Sequence, residues 1–115
     1  MALTIYHNPR CSKSRQALKL IEERGLEPQV VRYLETPPDA RTLDELLRLL
    51  GLEPRELMRR KEPEYQELGL DDPSLSREAL IAAMVSHPRL IERPIVIKDG
   101  KAILGRPPER VLELI

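Results

Sequence analysis

Hydrophobic positions in the first third of the chain alternate between strand-like runs and helical spacing. The apolar run Ala2–Tyr6 stops before Pro9 and predicts a buried strand. The next apolar positions recur at helical spacing and predict a helix over about Ser12–Arg24, ended by Gly25. A second strand is predicted from the apolar residues Val30, Val31, Tyr33 and Leu34. Strand, helix and strand over so short a stretch favour a parallel βαβ unit.

The middle of the chain has helical spacing throughout. Thr42 and Glu45 have the spacing of a capping box, and the leucines that follow recur at i, i+3, i+4 and i+7 before Gly51. These leucines are Leu43, Leu46, Leu47 and Leu50. A shorter helix is predicted around Arg55–Arg60 and another over Ser76–Ser86. His87 is expected to end the latter.

The last third predicts a hairpin and a final helix. Ile95–Lys98 and Lys101–Leu104 flank Asp99-Gly100, a residue pair that favours a two-residue type I′ turn. Pro107-Pro108 suits the first turn of a helix running to Ile115. The order of elements predicts an α/β protein with a mixed four-stranded sheet and flanking helices, the plan of a thioredoxin-like fold of glutaredoxin type. We expect one domain over residues 1–115, with a helical insertion at about 39–90.

The composition argues against nucleic acids and membranes as binding partners. The 19 basic residues are balanced by 19 acidic ones, which argues against a broad positive field for nucleic acid or anionic lipid. With no Phe or Trp and three Tyr, the chain has no platform for stacking bases. No apolar run approaches the roughly 20 residues that cross a bilayer, and no secretory signal is visible. We therefore expect a soluble cytoplasmic protein that binds neither nucleic acid nor membrane.

The chain has a single cysteine, which excludes an internal disulfide and a multi-thiolate zinc site. Cys11 lies between a predicted strand end and a helix start, where free N–H groups and the helix dipole stabilise an anion such as a thiolate. Arg10, Lys13 and Arg15 add positive charge nearby, so the pKa of Cys11 should fall below the roughly 8.5 of a free thiol. The alternative is an inert cysteine that acts as a small hydrophobe.

The stretch around Cys11, Tyr6–Arg15, resembles the active-site loop of the glutaredoxin-coupled, ArsC-type arsenate reductases. Further segments match that family in order along nearly the whole chain. They are Tyr33–Pro38, Leu57–Arg59, Tyr65–Leu70, His87-Pro88, Arg93–Val96 and Gly105–Pro107. A Cys-x-x-Ser match alone would be weak, whereas several ordered segments together are specific.

The resemblance implies that Cys11 is the nucleophile and that Arg59, Arg93 and Arg106 hold arsenate and its intermediates. Arsenate is a multiply charged oxyanion, and planar forked guanidinium groups can both neutralise it and orient its oxygens. The alternative for each arginine is solvated surface charge. That alternative is stronger for Arg59, which is followed by two more basic residues.

The resemblance also implies roles for His7, Ser14 and Pro94. His7 would help to set the electrostatics of the thiolate through its charge or a hydrogen bond, or else it only caps the loop. Ser14 stands where a second, resolving cysteine would be, and its hydroxyl could donate to Cys11 or cap the helix. Pro94 resembles the proline that thioredoxin-like folds place in cis opposite the catalytic cysteine.

The implied reaction needs thiols from other molecules. Cys11 would attack arsenate, glutathione would add to arsenic, and glutaredoxin would remove the glutathionyl group as arsenite forms. Arsenate, glutathione and glutaredoxin are thus the expected partners of a monomer with no bound cofactor or metal. Two alternatives stay open: a thioredoxin-like, glutathione-dependent thiol reductase that does not act on arsenate, and an Spx-type regulator that binds RNA polymerase.

Overall fold

The computed structural model describes residues 3–115, so Ala2, the first residue of the predicted N-terminal strand, lies outside the described residues. Two compact units make up the described chain. The first joins residues 3–36 to Arg93–Ile115, and the second is Pro37–Glu92. No helix within residues 3–115 is long and apolar enough to cross a membrane.

The first unit is a mixed four-stranded sheet with helices. Its elements are β1 (Leu3–His7), α1 (Ser12–Glu23), β2 (Gln29–Arg32), β3 (Ile95–Lys98), β4 (Lys101–Leu104) and a 3-10 helix (Pro108–Glu113). The strand order is β2-β1-β3-β4. β1 pairs in parallel with β2 and antiparallel with β3, and β3 pairs antiparallel with β4. The predicted mixed sheet and its parallel βαβ unit are confirmed.

The core of this unit lies where α1 meets the sheet and the C-terminal 3-10 helix. Ala17 and Ile21, one helical turn apart, form a buried cluster with Ile5, Val96 and Val111. All five are fully buried. Burying a side chain of Ile or Val size contributes about 1.5–3 kcal/mol, so this cluster holds α1 in place on the sheet.

Turn residues explain where the elements of the first unit end. Asp99 and Gly100 have φ values of 50° and 78°, as a type I′ turn requires, so the predicted hairpin is confirmed. β2 ends at Arg32, and the prediction that Tyr33 and Leu34 continue it is wrong. The N–H groups of Glu35 and Thr36 both donate to the Arg32 carbonyl at 2.9 Å, which closes a turn. Tyr33 is buried in that turn.

The second unit is helical. Its elements are α2 (Ala40–Leu50), α3 (Pro54–Leu57), α4 (Pro63–Glu67), α5 (Arg77–Ser86) and a 3-10 helix (Pro88–Leu90). Its buried apolar side chains are Leu43, Leu46, Leu47, Leu57, Met58, Leu70, Leu80, Ile81, Met84, Leu90 and Ile91. Three of the four leucines predicted on the inner face of α2 are thus buried, whereas Leu50 is only partly buried. Gly51 ends this helix with a φ of 69°.

Three predicted boundaries in these helical segments are wrong. α2 is capped by Asp39, whose carboxylate accepts the Thr42 N–H at 2.8 Å, so the Thr42–Glu45 spacing lies inside the helix. The helix predicted to reach Arg60 ends at Leu57, because the next residues pair with the segment after the 3-10 helix instead. The C-terminal helix, in the first unit, is a short 3-10 helix that ends at Glu113 rather than at Ile115. By contrast, α5 begins after Ser76 and ends at Ser86, directly before His87, as predicted.

Candidate active site

Cys11 is the N-cap residue of α1, and the loop before it is built around Asn8. The Cys11 N–H donates to the Asn8 carbonyl at 3.0 Å, and the Arg10 N–H donates to the Asn8 side-chain oxygen at 3.0 Å. At the start of the helix, the Arg15 N–H donates to the Cys11 carbonyl at 3.0 Å. These bonds fix the sulfur at the mouth of the helix, with 9% of the residue exposed.

The first turn of α1 is open to an anion. Cys11 makes no side-chain hydrogen bond that caps the helix, and no acidic residue lies in the first turn. The N–H groups of this turn and the positive end of the helix dipole therefore act on the sulfur and on any anion beside it.

The pKa of Cys11 lies below its ordinary value of 9.0. Burial raises it, but the Ser14 N–H, the Arg93 charge, the Lys13 N–H and a hydrogen bond from Arg93 together lower it further than burial raises it. The predicted direction is confirmed. The responsible charge, however, is that of Arg93 rather than that of the cations adjacent in sequence.

His7 and Ser14 form a buried pair next to the loop. Nδ1 of His7 lies 2.6 Å from Oγ of Ser14, and the same oxygen accepts the Asn8 N–H at 3.1 Å. Burial lowers the pKa of His7 from 6.5, and the charges of Arg32 and Arg15 lower it further, against Glu22, which raises it. His7 is therefore neutral at neutral pH, and the Ser14 hydroxyl can donate to Nδ1 while it accepts from Asn8.

The contacts of His7 and Ser14 favour roles in hydrogen bonding within the loop. With its pKa lowered, His7 is mainly neutral at pH 7, so a hydrogen bond is favoured over a positive charge. The Ser14 hydroxyl holds His7 and the loop N–H of Asn8, and it does not cap α1. What Ser14 contributes to the pKa of Cys11 is its main-chain N–H.

Arg93 and Arg106 lie in the same unit as Cys11, each directly before a proline. Arg93 is buried, and its carbonyl accepts a hydrogen bond from Nη1 of Arg106 at 3.4 Å. The peptide bonds that follow the two arginines, Arg93-Pro94 and Arg106-Pro107, are both cis. The expectation for Pro94 is thus confirmed, whereas the second cis bond was not predicted.

Gly105 packs directly against Pro94. Its N–H donates to the Pro94 carbonyl at 2.9 Å. A Cβ at this position would lie 2.9 Å from Cγ of Pro94 and 3.0 Å from Cγ1 of Val111, closer than atoms pack. Only glycine leaves room for the segment that carries Arg93.

Arg59 belongs to the second unit, where carboxylates hold its guanidinium. Nη1 lies 2.6 Å from Oε1 of Glu62, and Nε lies 3.9 Å from Oε1 of Glu92. The other Glu62 oxygen binds Nη2 of Arg89 at 3.0 Å. Arg59 is therefore a half-buried, oriented group rather than a freely solvated one.

Sequence reasoning missed Asn8 and Glu62. An Asn before Pro is a signal for a turn in which the side chain accepts main-chain N–H groups, so Asn8 could have been identified. Nothing in the sequence indicated that Glu62 would bridge Arg59 and Arg89. Within residues 3–115, no cluster of three or more His, Cys, Asp or Glu side chains could hold a metal ion.

The chain resembles known proteins in both sequence and structure. The profile of the ArsC family matches residues 6–114. The chain is 64% identical to the uncharacterized protein YfgD of Escherichia coli, covering 96% of this chain and 94% of that one. It is 54% identical to an arsenate reductase of Neisseria meningitidis, covering 95% and 94% of the two chains.

A solved structure of an arsenate reductase from Vibrio cholerae superposes with a TM-score of 0.97 at 56% identity, covering 100% of this chain and 98% of that one. The α/β architecture with its mixed sheet is thus the thioredoxin-like fold predicted from the sequence. The match of the family profile over nearly the whole chain leads to one conclusion: the chain belongs to the ArsC family.

Proposed function

We propose that the protein is an oxidoreductase that reduces arsenate to arsenite through an adduct on Cys11. One observation carries the proposal: a cysteine with a lowered pKa stands at an uncapped helix start, and the buried Arg93 is one cause of that lowering. Relatives named arsenate reductase, at 54% identity in Neisseria meningitidis and 45% in Escherichia coli, support it.

In this proposal Cys11 is the nucleophile, and Arg93 and Arg106 bind the oxyanion from the first unit. The family resemblance adds Arg59 as a third proposed oxyanion-binding residue. Guanidinium groups suit this task because they donate two parallel hydrogen bonds to adjacent oxygens while neutralising charge. The side chains of His7 and Ser14 position the loop that carries Cys11 through their hydrogen bonds.

The chemical steps balance without a bound cofactor. The Cys11 thiolate forms a sulfur–arsenic bond, an arsenic–oxygen bond breaks, and the oxygen leaves as water after protonation. A glutathione thiol then replaces a hydroxyl on arsenic, and a second water leaves. Arsenic stays in the +5 state through both steps.

Reduction follows when a glutaredoxin thiolate attacks the glutathione sulfur. The arsenic–sulfur bond to glutathione breaks and its electron pair stays on arsenic, which becomes As(III), while the two thiols form a mixed disulfide. Hydrolysis of the Cys11–arsenic bond releases arsenite and regenerates the thiol. Because the chain has one cysteine, both electrons must come from these external thiols.

We further propose that glutathione is the co-substrate, that a glutaredoxin is the protein partner, and that the protein acts as a cytoplasmic monomer. The reducing thiols that the cycle needs are maintained in the cytoplasm. Light scattering coupled to gel filtration tests the monomer, and fractionation tests the compartment.

The decisive experiment is arsenate-dependent oxidation of NADPH, coupled through glutathione reductase, with glutathione and glutaredoxin. The wild type should show the signal and Cys11→Ser should abolish it. Arg24→Gln, an exposed change at the far end of α1, serves as the matched control and should retain it. A wild type that reduces a glutathione mixed disulfide but not arsenate would identify a thiol reductase instead.

A further inference from the structure

A groove in the first unit runs from the loop before Cys11 along strand β2. It consists of two adjoining depressions of about 250 and 470 Å³, which share His7, Arg32 and Glu35 as lining residues. The smaller depression extends to Arg10, and the larger one to Val30. Ligand pockets commonly have volumes of about 300–1,000 Å³, so the two together offer room for a small molecule. We refer to these depressions as the β2 groove.

The charged side chains of the β2 groove are Arg10, Arg32 and Glu35. All three are exposed, and within residues 3–115 none of them forms an ion pair with a protein group. Although the side chains are exposed, hydrogen bonds fix the main chain at all three residues. The Glu35 N–H donates to the Arg32 carbonyl at 2.9 Å, so these two opposite charges sit on one turn. The Arg10 N–H is bound by the Asn8 side chain.

This charge pattern fits a ligand that carries both negative and positive groups better than it fits a simple anion. Phosphate or arsenate would gain from the two arginines but would be repelled by Glu35. A ligand with two carboxylates and one ammonium group would pair with all three groups. At neutral pH glutathione has these charges, with a carboxylate and an ammonium at its γ-glutamyl end, a second carboxylate at its glycine end, and the thiol between them.

We propose that the β2 groove is the glutathione site. The γ-glutamyl end binds at the turn, with its carboxylate on Arg32 and its ammonium on Glu35, and the glycine carboxylate binds Arg10. The exposed side chains of Val30 and Leu34 give the tripeptide's methylene groups an apolar surface. Because Arg10 directly precedes Cys11, this orientation brings the ligand to the loop that carries the nucleophile.

The assignment rests on the glutathione-dependent reaction proposed above, in which a glutathione thiol forms a sulfur–arsenic bond and water leaves. A dedicated site raises the local concentration of that thiol and orients it toward the adduct. Arsenic keeps its +5 oxidation state in this step, so the groove needs to supply only binding and orientation.

Binding can be tested without any turnover. S-methylglutathione, which has no free thiol, is titrated into the wild type by calorimetry. Arg32→Gln and Arg10→Gln should each weaken binding by about 2–5-fold, which is the loss expected for an exposed charge-assisted contact. Arg24→Gln, an exposed arginine of the same unit outside the groove, is the matched control and should bind like the wild type.

Truncated ligands assign each contact. Glu35→Gln should weaken binding of S-methylglutathione but not of its analogue without the α-amino group. Arg10→Gln should weaken S-methylglutathione but not S-methyl-γ-glutamylcysteine, which lacks the glycine carboxylate. Equal losses for the complete and truncated ligands would overturn the orientation, and wild-type binding in all three groove variants would overturn the site.

The coupled assay separates failure of the site from failure of the proposed function. If both hold, Arg32→Gln raises the KM for glutathione by about 2–5-fold and leaves the KM for arsenate unchanged. If the wild type does not reduce arsenate but the calorimetric pattern is found, the proposed function fails and the groove stands. If arsenate is reduced and the KM for glutathione is the same in every groove variant, the groove is wrong and the function stands.

Discussion

The two longest helices of the second unit begin differently from α1 of the first unit. In the second unit, α2 and α5 start with Asp39 and Ser76, whose side-chain oxygens accept the N–H of the third residue after them at 2.8 and 3.1 Å. In the first unit, α1 starts with Cys11, whose side chain makes no such bond. A cap of this kind typically contributes about 1 kcal/mol. The first unit gives up that stabilisation at the one helix start where the proposed reaction needs free N–H groups.

This difference separates stability from chemistry. In α2 and α5, a side-chain oxygen satisfies the first turn. In α1, where the proposed reaction needs a thiolate and an incoming oxyanion to be stabilised, the cap is absent and the buried Arg93 supplies charge. Substitutions that close the open helix start or open the closed ones therefore test the interpretation directly.

The largest effect is expected at Cys11. Cys11→Ser and Cys11→Ala should each reduce arsenate turnover by at least about 10³-fold, because neither has the nucleophilic sulfur. Serine can cap α1 and alanine cannot, so the serine variant should be the more stable by about 0.5–2 kcal/mol in urea unfolding. If the two variants have equal stability, the helix start is already satisfied and the comparison is wrong.

Removing Arg93 should have the next largest effect. Arg93→Ala is expected to reduce kcat/KM for arsenate by about 10²–10³-fold, as for loss of a charged donor to an oxyanion. The pKa of Cys11 should rise, which moves the midpoint of iodoacetamide labelling to higher pH. Arg93→Lys should restore part of the labelling midpoint but less of the activity, because lysine lacks the planar fork. An unchanged midpoint in Arg93→Ala would contradict the assigned source of charge.

Arg59 tests how the second unit orients a guanidinium group. Glu62→Gln removes the carboxylate that lies 2.6 Å from Arg59, and the KM for arsenate should rise by several-fold while kcat changes less. Glu64→Gln is the matched control, since Glu64 lies 3.8 Å from Arg89 and is not paired with Arg59. Equal effects of the two changes would mean that Glu62 has only a general charge effect.

Opening a closed helix start should affect stability alone. Ser76→Ala removes the cap of α5 and should lower the free energy of unfolding by about 1 kcal/mol, with kcat/KM unchanged. Ser86→Ala, an exposed change at the other end of the same helix, is the control and should leave stability within about 0.5 kcal/mol. A loss of activity in Ser76→Ala at temperatures where it is folded would contradict this separation.

The smallest effect concerns the dependence of stability on pH. The pKa of His7 is lower in the folded chain than its ordinary 6.5, so the unfolded chain binds this proton first as the pH falls. The contribution of His7 to stability is complete above pH 6.5 and decreases below it, down to the folded pKa. His7→Gln should flatten the curve of unfolding free energy against pH in this range, whatever its effect on absolute stability. A curve of unchanged slope would contradict the assignment.

Local sequence was sufficient for elements whose signals do not depend on distant residues. The Asp99-Gly100 pair determines its own turn, and three of the four leucines predicted for the inner face of α2 are buried. The open position of Cys11 also followed from local order. These features depend on main-chain preferences within a few residues.

The errors occur where distant groups compete with a local pattern. Arg59 looked helical, but its N–H donates to the Leu90 carbonyl at 2.7 Å and so lies outside the helix. Tyr33 looked like a strand residue because it lies in an apolar run, yet in the structure it is buried in a turn. The pKa of Cys11 was attributed to adjacent cations, whereas the charge comes from Arg93, which is distant in sequence. No single-sequence pattern encodes such long-range pairs.

The single cysteine also determines how the protein responds to oxidants. A thiolate at the mouth of a helix oxidises readily to a sulfenic acid, and this chain has no second thiol to convert that product into an internal disulfide. Recovery then depends on a small external thiol arriving before further oxidation makes the damage permanent. Peroxide should therefore inactivate the protein reversibly when glutathione is plentiful and irreversibly when it is depleted.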